Sequence, residues 1–250
     1  MTLLATAMLV FCRVGGLMLG LPMVSAHGVP RWVAVFGSLA ITMLIVPHAP
    51  TTALPETLPA LMFAGVSELG FGFLFAAIIR LLFSTIAIAG EVMSLQTGMA
   101  MAVTFDPLQK TQEPILATFV TWLAGLVFIW SGLHLRAIEI LAQSFHDNPV
   151  GTLVMPTAGL QAYIDATGVA FMTGIQFAGP VLALLFLINA FMALVIKLAP
   201  RMNVFFAIGM TGGNVLGLVV IIVSIPWLLM LHQHLMESAV SIAGQSMGGT

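Results

Sequence analysis

The chain has 250 residues, of which 60% are hydrophobic and 6% charged, and its formal net charge is −2. A water-soluble fold of this size needs a polar exterior, and seven basic and nine acidic residues cannot supply one when ordinary soluble domains are about a quarter charged. The charge balance gives no argument for nucleic acid, and the mean hydropathy of +1.12 predicts an all-α integral membrane protein.

Six apolar stretches approach the length of about 20 residues that a bilayer demands. They run over Leu3–Leu21, Trp32–Val46, Ala60–Phe83, Ile115–Trp130, Val169–Leu198 and Val204–Leu231. The first is read as an uncleaved membrane segment, because no Lys or Arg precedes it and Arg13 interrupts it. The third continues past one span towards Val103 and carries Glu68, Arg80 and Glu91. The fifth also exceeds one span and holds Gly179-Pro180, while Pro226 lies inside the sixth. A proline inside a helix removes a backbone hydrogen bond, so these positions are expected kinks and the stretches are expected to form bent hairpins. One membrane-embedded domain is expected over residues 1–250, with a polar tail from 236 to 250.

Counting six spans, Arg31, Lys110, Lys197 and Arg201 fall on one side, against Arg136 with Glu56, Glu139, Asp147 and Asp165 on the other. The positive side is read as cytoplasmic, which puts both termini on the periplasmic side.

Glu68, Arg80 and Glu91 are costly in lipid without partners. Glu68 and Arg80 are too far apart on one helix to pair, so each needs a partner from another helix, another chain or water. They read as a proton path or as ion pairs between subunits, and the absence of a graded series of such groups favours the second. His232 and His234 point to different faces of a helix, His134 with Glu139 is not a zinc motif, and no nucleophile motif is present. No enzyme, metal site or cofactor is expected. The lone Cys12 reads as a packing residue. Gly98, Met99, Ala100, Met101, Ala102, Val103, Thr104, Phe105, Asp106 and Pro107 form a small, methionine-rich stretch. It could be a deformable pore constriction or an ordinary helix end, and composition alone favours the helix end.

The order of short motifs is more specific than any one of them. Arg13-Val14-Gly15-Gly16 and Leu21-Pro22 are followed by Val29-Pro30-Arg31, Glu68-Leu69-Gly70-Phe71-Gly72, Ala89-Gly90-Glu91 and the Gly98–Pro107 stretch. Gly132-Leu133-His134, Ser144-Phe145, Gly179-Pro180 and the run from Ala199-Pro200-Arg201 to Gly209 come next. The series, over about residues 8–231, resembles the FliR family, the R component of the flagellar export gate, whose injectisome counterpart is the T component of type III secretion. Gly132-Leu133-His134 and Ser144-Phe145 favour the flagellar branch.

The resemblance implies a single-copy subunit that assembles with P and Q proteins into a pore for unfolded export substrates in the bacterial inner membrane, at the flagellar basal body. A B-type protein would wrap the cytoplasmic side. Residues 1–165 would be P-like and 166–235 a Q-like hairpin. Carried over by position, Gly98 to Pro107 would plug the closed pore. Lys197, Pro200, Arg201, Asn203, Phe205 and Gly209 would form a turn at the cytoplasmic entrance. The chain departs from the family pattern at Met210-Thr211-Gly212-Gly213-Asn214 and at Met99-Ala100-Met101. A secondary transporter is the competing reading, and the absence of a persuasive internal repeat weighs against it.

Overall fold

Apolar helices with a small residue at every close approach account for most of the architecture. The computed structural model describes residues 2–22, 30–50, 54–55, 57–97, 115–151, 157–198 and 210–246. In chain order the elements are α1 (Thr2–Gly20), α2 (Arg31–Ile45), a 3-10 turn (Val46–His48), α3 (Leu58–Gln96), α4 (Ile115–Trp130), α5 (Leu133–Asp147), α6 (Thr157–Leu198) and α7 (Met210–Ser246). Five helices are long and apolar enough to cross a membrane, and α4 with α5 makes a sixth candidate span bent by 59°. All six stretches read from the sequence therefore appear as helix in the described residues.

Contacts divide the chain into two compact units. The first holds residues 1–83, 128–169 and 235–250, and the second holds 84–127 and 170–234. In the first unit, Leu9, Val14 and Leu17 of α1 are buried, as are Phe75, Ile79 and Leu82 of α3 and Leu141 and Phe145 of α5. Phe83 meets Phe128 edge to face at 6.5 Å. Helix α2 packs on α1 and ends in a 3-10 turn that contains Pro47. The buried Ser38 and Thr42 hydroxyls donate back to the carbonyls of Ala34 and Ser38, both at 2.7 Å, so this face of α2 leaves no hydroxyl unpaired. Residues 236–246, a polar tail in the sequence reading, continue α7 and bury Met236, Ala239, Val240 and Ala243.

The second unit is built around Ile86, Met93, Val120, Phe177, Val181, Ile221 and Leu228. Gly90 of α3 lies against the backbone of α4, where an added Cβ would sit 2.9 Å from Ala117 Cα. Pro180 and Pro226 end neither α6 nor α7, and helix is continuous through both.

The closest approach in the first unit joins α1 to α3. A Cβ on Gly16 would meet the carbonyl oxygen of Leu69, and one on Gly72 would meet that of Arg13. Backbone atoms cannot swing aside as a flexible side chain does, so both positions require glycine. Two turns before Gly72 in sequence, Gly65 leaves ordinary contact distances, and Gly70 has nothing within 4 Å.

The effect of alanine should therefore change sign within one helix. Gly72→Ala is expected to destabilise the purified protein by at least the roughly 1–3 kcal/mol of an overpacked core. Gly70→Ala should be neutral or stabilising by up to about 1 kcal/mol through helix propensity. Thermal unfolding of both variants in the same detergent checks the contrast.

Candidate functional site

Among the described residues, the densest polar chemistry surrounds Arg13, midway along α1. An arginine there has no water to turn to, and its side chain is only 2% exposed. Glu68 of α3, 3% exposed, supplies the counter-charge, with Arg13 Nε donating to Glu68 Oε2 at 2.6 Å. The rest of the guanidinium is also used. Nη1 donates to the backbone oxygen and the hydroxyl of Ser144, both at 3.1 Å, and Nη2 donates to the carbonyl of Asn148 at 3.0 Å. Its carbon also lies 4.7 Å from the Phe71 ring centroid and 4.2 Å from that of Phe145. Cation–π contacts of this kind are strongest when desolvated, as here.

The second carboxylate oxygen of Glu68 accepts the backbone N–H of Gly151 at 3.0 Å. Gly151 has φ of 89°, a left-handed conformation that favours glycine and turns its N–H towards the carboxylate. Gly132, with φ of 71°, precedes α5 and sets the turn that aims Ser144 and Phe145 at Arg13. The pair thus ties together α1, α3, α5 and the segment after α5. All three guanidinium nitrogens and both carboxylate oxygens find a partner.

This placement corrects one expectation. The sequence leaves the partner of Glu68 open between another helix, another chain and water and favours pairing between subunits, but both of its oxygens are taken within the chain. Such a closed constellation works as a tie. The sequence reading uses Arg13 as an interruption of an apolar stretch and as part of a motif, and gives it no partner. The available signal was a charge in each of two apolar stretches, Arg13 in the first and Glu68 in the third, each followed by glycines.

Arg80 and Glu91 of α3 are exposed and form no ion pair with a described residue. Lys197 is exposed in the last turn of α6. The plug stretch Gly98–Pro107, and Pro200, Arg201, Asn203, Phe205 and Gly209 of the proposed turn, lie outside the described residues. His232 is buried against the Phe177 ring at 6.5 Å, whereas His234 is exposed, so the two do not converge. A cleft of about 250 Å³ lies where His48 faces Glu139 and His146. Among the described residues no group of three His, Cys, Asp or Glu has the geometry to hold a metal.

Comparison with known proteins gives a match to the sequence model of the bacterial export proteins, family 1, over residues 4–239. The chain is 28% identical over 193 residues to the flagellar biosynthetic protein FliR of Escherichia coli K12, covering 77% of this chain and 74% of that protein. It is 27% identical over 224 residues to FliR of Aquifex aeolicus, covering 89% and 86%. The surface presentation of antigens protein SpaR of Salmonella typhimurium is 24% identical over 213 residues, covering 84% and 78%.

If the tie is as central as its burial indicates, removing either partner strands the other. Arg13→Met or Glu68→Met is expected to cost about 3–5 kcal/mol, the usual range for breaking a buried pair. The double variant should fall short of the sum of the two by more than about 1 kcal/mol. Unfolding of the four proteins in one detergent checks this, and strict additivity would show that the two side chains act independently.

Proposed function

The chain belongs to the bacterial export proteins, family 1, and from that membership we propose that it is the single-copy R subunit of the flagellar type III export gate. With P and Q proteins it forms the inner-membrane pore through which unfolded flagellar proteins pass, and a B-type protein covers its cytoplasmic side. Its termini face the periplasm, and its role is non-enzymatic. Gly132-Leu133-His134 and Ser144-Phe145, together with matches to FliR proteins of several bacteria, support the flagellar branch over the virulence branch.

The observation that carries a subunit role is a surplus of apolar helix. The apolar windows of α3 and α6 span 39 and 37 residues. At 1.5 Å per residue these are about 55–58 Å long, against a hydrocarbon core of about 30 Å. Followed along its axis, either one is nearly twice the thickness of the hydrocarbon core. In α3 the surplus is largely covered within the chain, 56% of its window being buried. In α6 only 18% is buried, and Phe171, Phe186, Leu187 and Phe191 stand exposed. Lipid cannot cover all of that face and water should not, so other protein does. Arg80 and Glu91 fit the same reading as charges that pair with partner subunits. The Gly98–Met101 stretch fits the family plug by position alone.

Co-purification is the direct test. The chain should bring P and Q proteins out of bacterial membranes, and Arg80→Glu with Glu91→Lys should reduce their yield while leaving the chain's own membrane level intact. A monodisperse chain that carries no partner would overturn the proposal. Deleting Gly98–Met101 should leave the complex assembled and make it conduct ions, and an assembled but closed complex would remove the plug role.

A further inference from the structure

The cleft between the end of α2 and α5, within the first unit, is used neither by the tie nor by the proposed export role. At about 250 Å³ it falls short of the roughly 300–1,000 Å³ of pockets that take a small-molecule ligand. It has room for one long side chain. Leu44, Ile45 and Ala142 give it apolar walls, and His48, Glu139, Gln143 and His146 bring polar groups to it. Glu139, Gln143 and His146 follow one another at helical spacing along a single stripe of α5.

These groups share an acceptor character. Glu139 is a carboxylate with no ion pair among the described residues, and no Lys or Arg lines the cleft. His48 Nδ1 lies 3.2 Å from the carbonyl oxygen of Leu44, which can only accept, so Nδ1 carries the proton. In the neutral ring this leaves the lone pair on Nε2. Gln143 adds an amide oxygen and His146 a second imidazole, and neither is hydrogen-bonded to a described residue. What the cleft lacks is a cation. A metal ion does not fit, because among the described residues no three such groups have ligand geometry. The end of α5 already holds one guanidinium elsewhere, where the carbonyls of Ser144 and Asn148 accept from Arg13. Helix carbonyl ends favour positive charge beside their last turn, and His146 borders the cleft there. Helix α2 makes the other wall with only 22% of its apolar window buried, and Leu44 is 73% exposed. A protein segment lying along α2 would cover that apolar surface and bring a side chain to the cleft, whereas a small free cation would cover none of it.

We propose that the cleft receives one basic side chain, lysine or arginine, from a partner subunit. Its aliphatic stem lies on Leu44, Ile45 and Ala142, and its charged head pairs with Glu139. His48 Nε2 and the Gln143 amide oxygen accept its remaining hydrogens. The proposal rests on the subunit reading above and adds the chemistry of one contact to it.

The test uses the full chain in bacterial membranes that hold its partners, with benzoylphenylalanine at Met43, exposed on α2 next to Leu44. Illumination should join the chain to a partner subunit within a helical turn of a lysine or arginine. Glu139→Gln should lower the yield of that partner several-fold at an unchanged level of the chain, and Glu139→Lys should lower it further. Changing the partner's basic residue to glutamate should restore the yield with Glu139→Lys. An adduct confined to lipid or to this chain overturns the proposal, as does a cross-linked partner segment without a basic residue. Partner yield indifferent to Glu139→Lys overturns it equally. Should Glu139→Lys lower the chain's own level, Glu139→Gln and the cross-link decide by the same criteria. A wild-type chain that brings out no P or Q protein rejects the subunit reading and the contact together. Partners that stay with the wild type and with both Glu139 variants reject the contact alone.

Discussion

An arginine cannot be left unpaired in an apolar helix, and the first unit is arranged around meeting that requirement. Arg13 is held by Glu68, by two backbone carbonyls, by a hydroxyl and by two aromatic rings. The bond to Glu68 draws α1 and α3 close enough for their backbones to touch, and Gly16 and Gly72 allow that approach. The glycines and the charges therefore depend on each other. Without the glycines the carboxylate is out of reach, and without the ion pair the close approach buries polar groups with no compensation. The constraint extends to α5 and to Gly151, which are fixed by donors and acceptors that Arg13 and Glu68 have left over.

The rest of the chain shows the opposite economy. Helices α6 and α7 carry long apolar faces with little of the chain over them, 18% and 22% of their windows being buried. A protein that works alone would be expected to cover such surface or confine it to bilayer thickness. Internal ties in the first unit combined with bare helices fit the proposed role as a subunit. The charges divide in the same way, since Glu68 is satisfied internally while Arg80 and Glu91 remain outward.

Much of this was legible in the sequence. The apolar stretches gave the helices because membrane spans must satisfy their backbones internally, which makes hydropathy a direct record of structure. Kinks were harder to read. Pro180 and Pro226, expected kinks, lie inside helices that continue past them, while a bend of 59° falls at Ser131-Gly132, where glycine adopts a left-handed turn. The motif order drew attention to Arg13–Gly16, Glu68–Gly72 and Ser144-Phe145 as separate landmarks. That they meet in one cluster is a fact of tertiary packing, over separations of 55 and 131 residues, and no local pattern encodes it. The polar character of residues 236–246 likewise concealed a buried face carried by Met236, Ala239, Val240 and Ala243.

The central claim is that the Arg13 fork, and not merely a positive charge, holds α5 and the segment after it against α1 and α3. Amide hydrogen exchange at Gly151 reads this directly, because its N–H ends on Glu68. Lysine keeps the charge but cannot reach Glu68, Ser144 and Asn148 together. In the wild-type chain the Gly151 amide should be protected, and Arg13→Lys should release it while amides within the core of α3 stay slow. Exchange at Gly151 that is unprotected in the wild type, or unchanged in Arg13→Lys, would contradict the account.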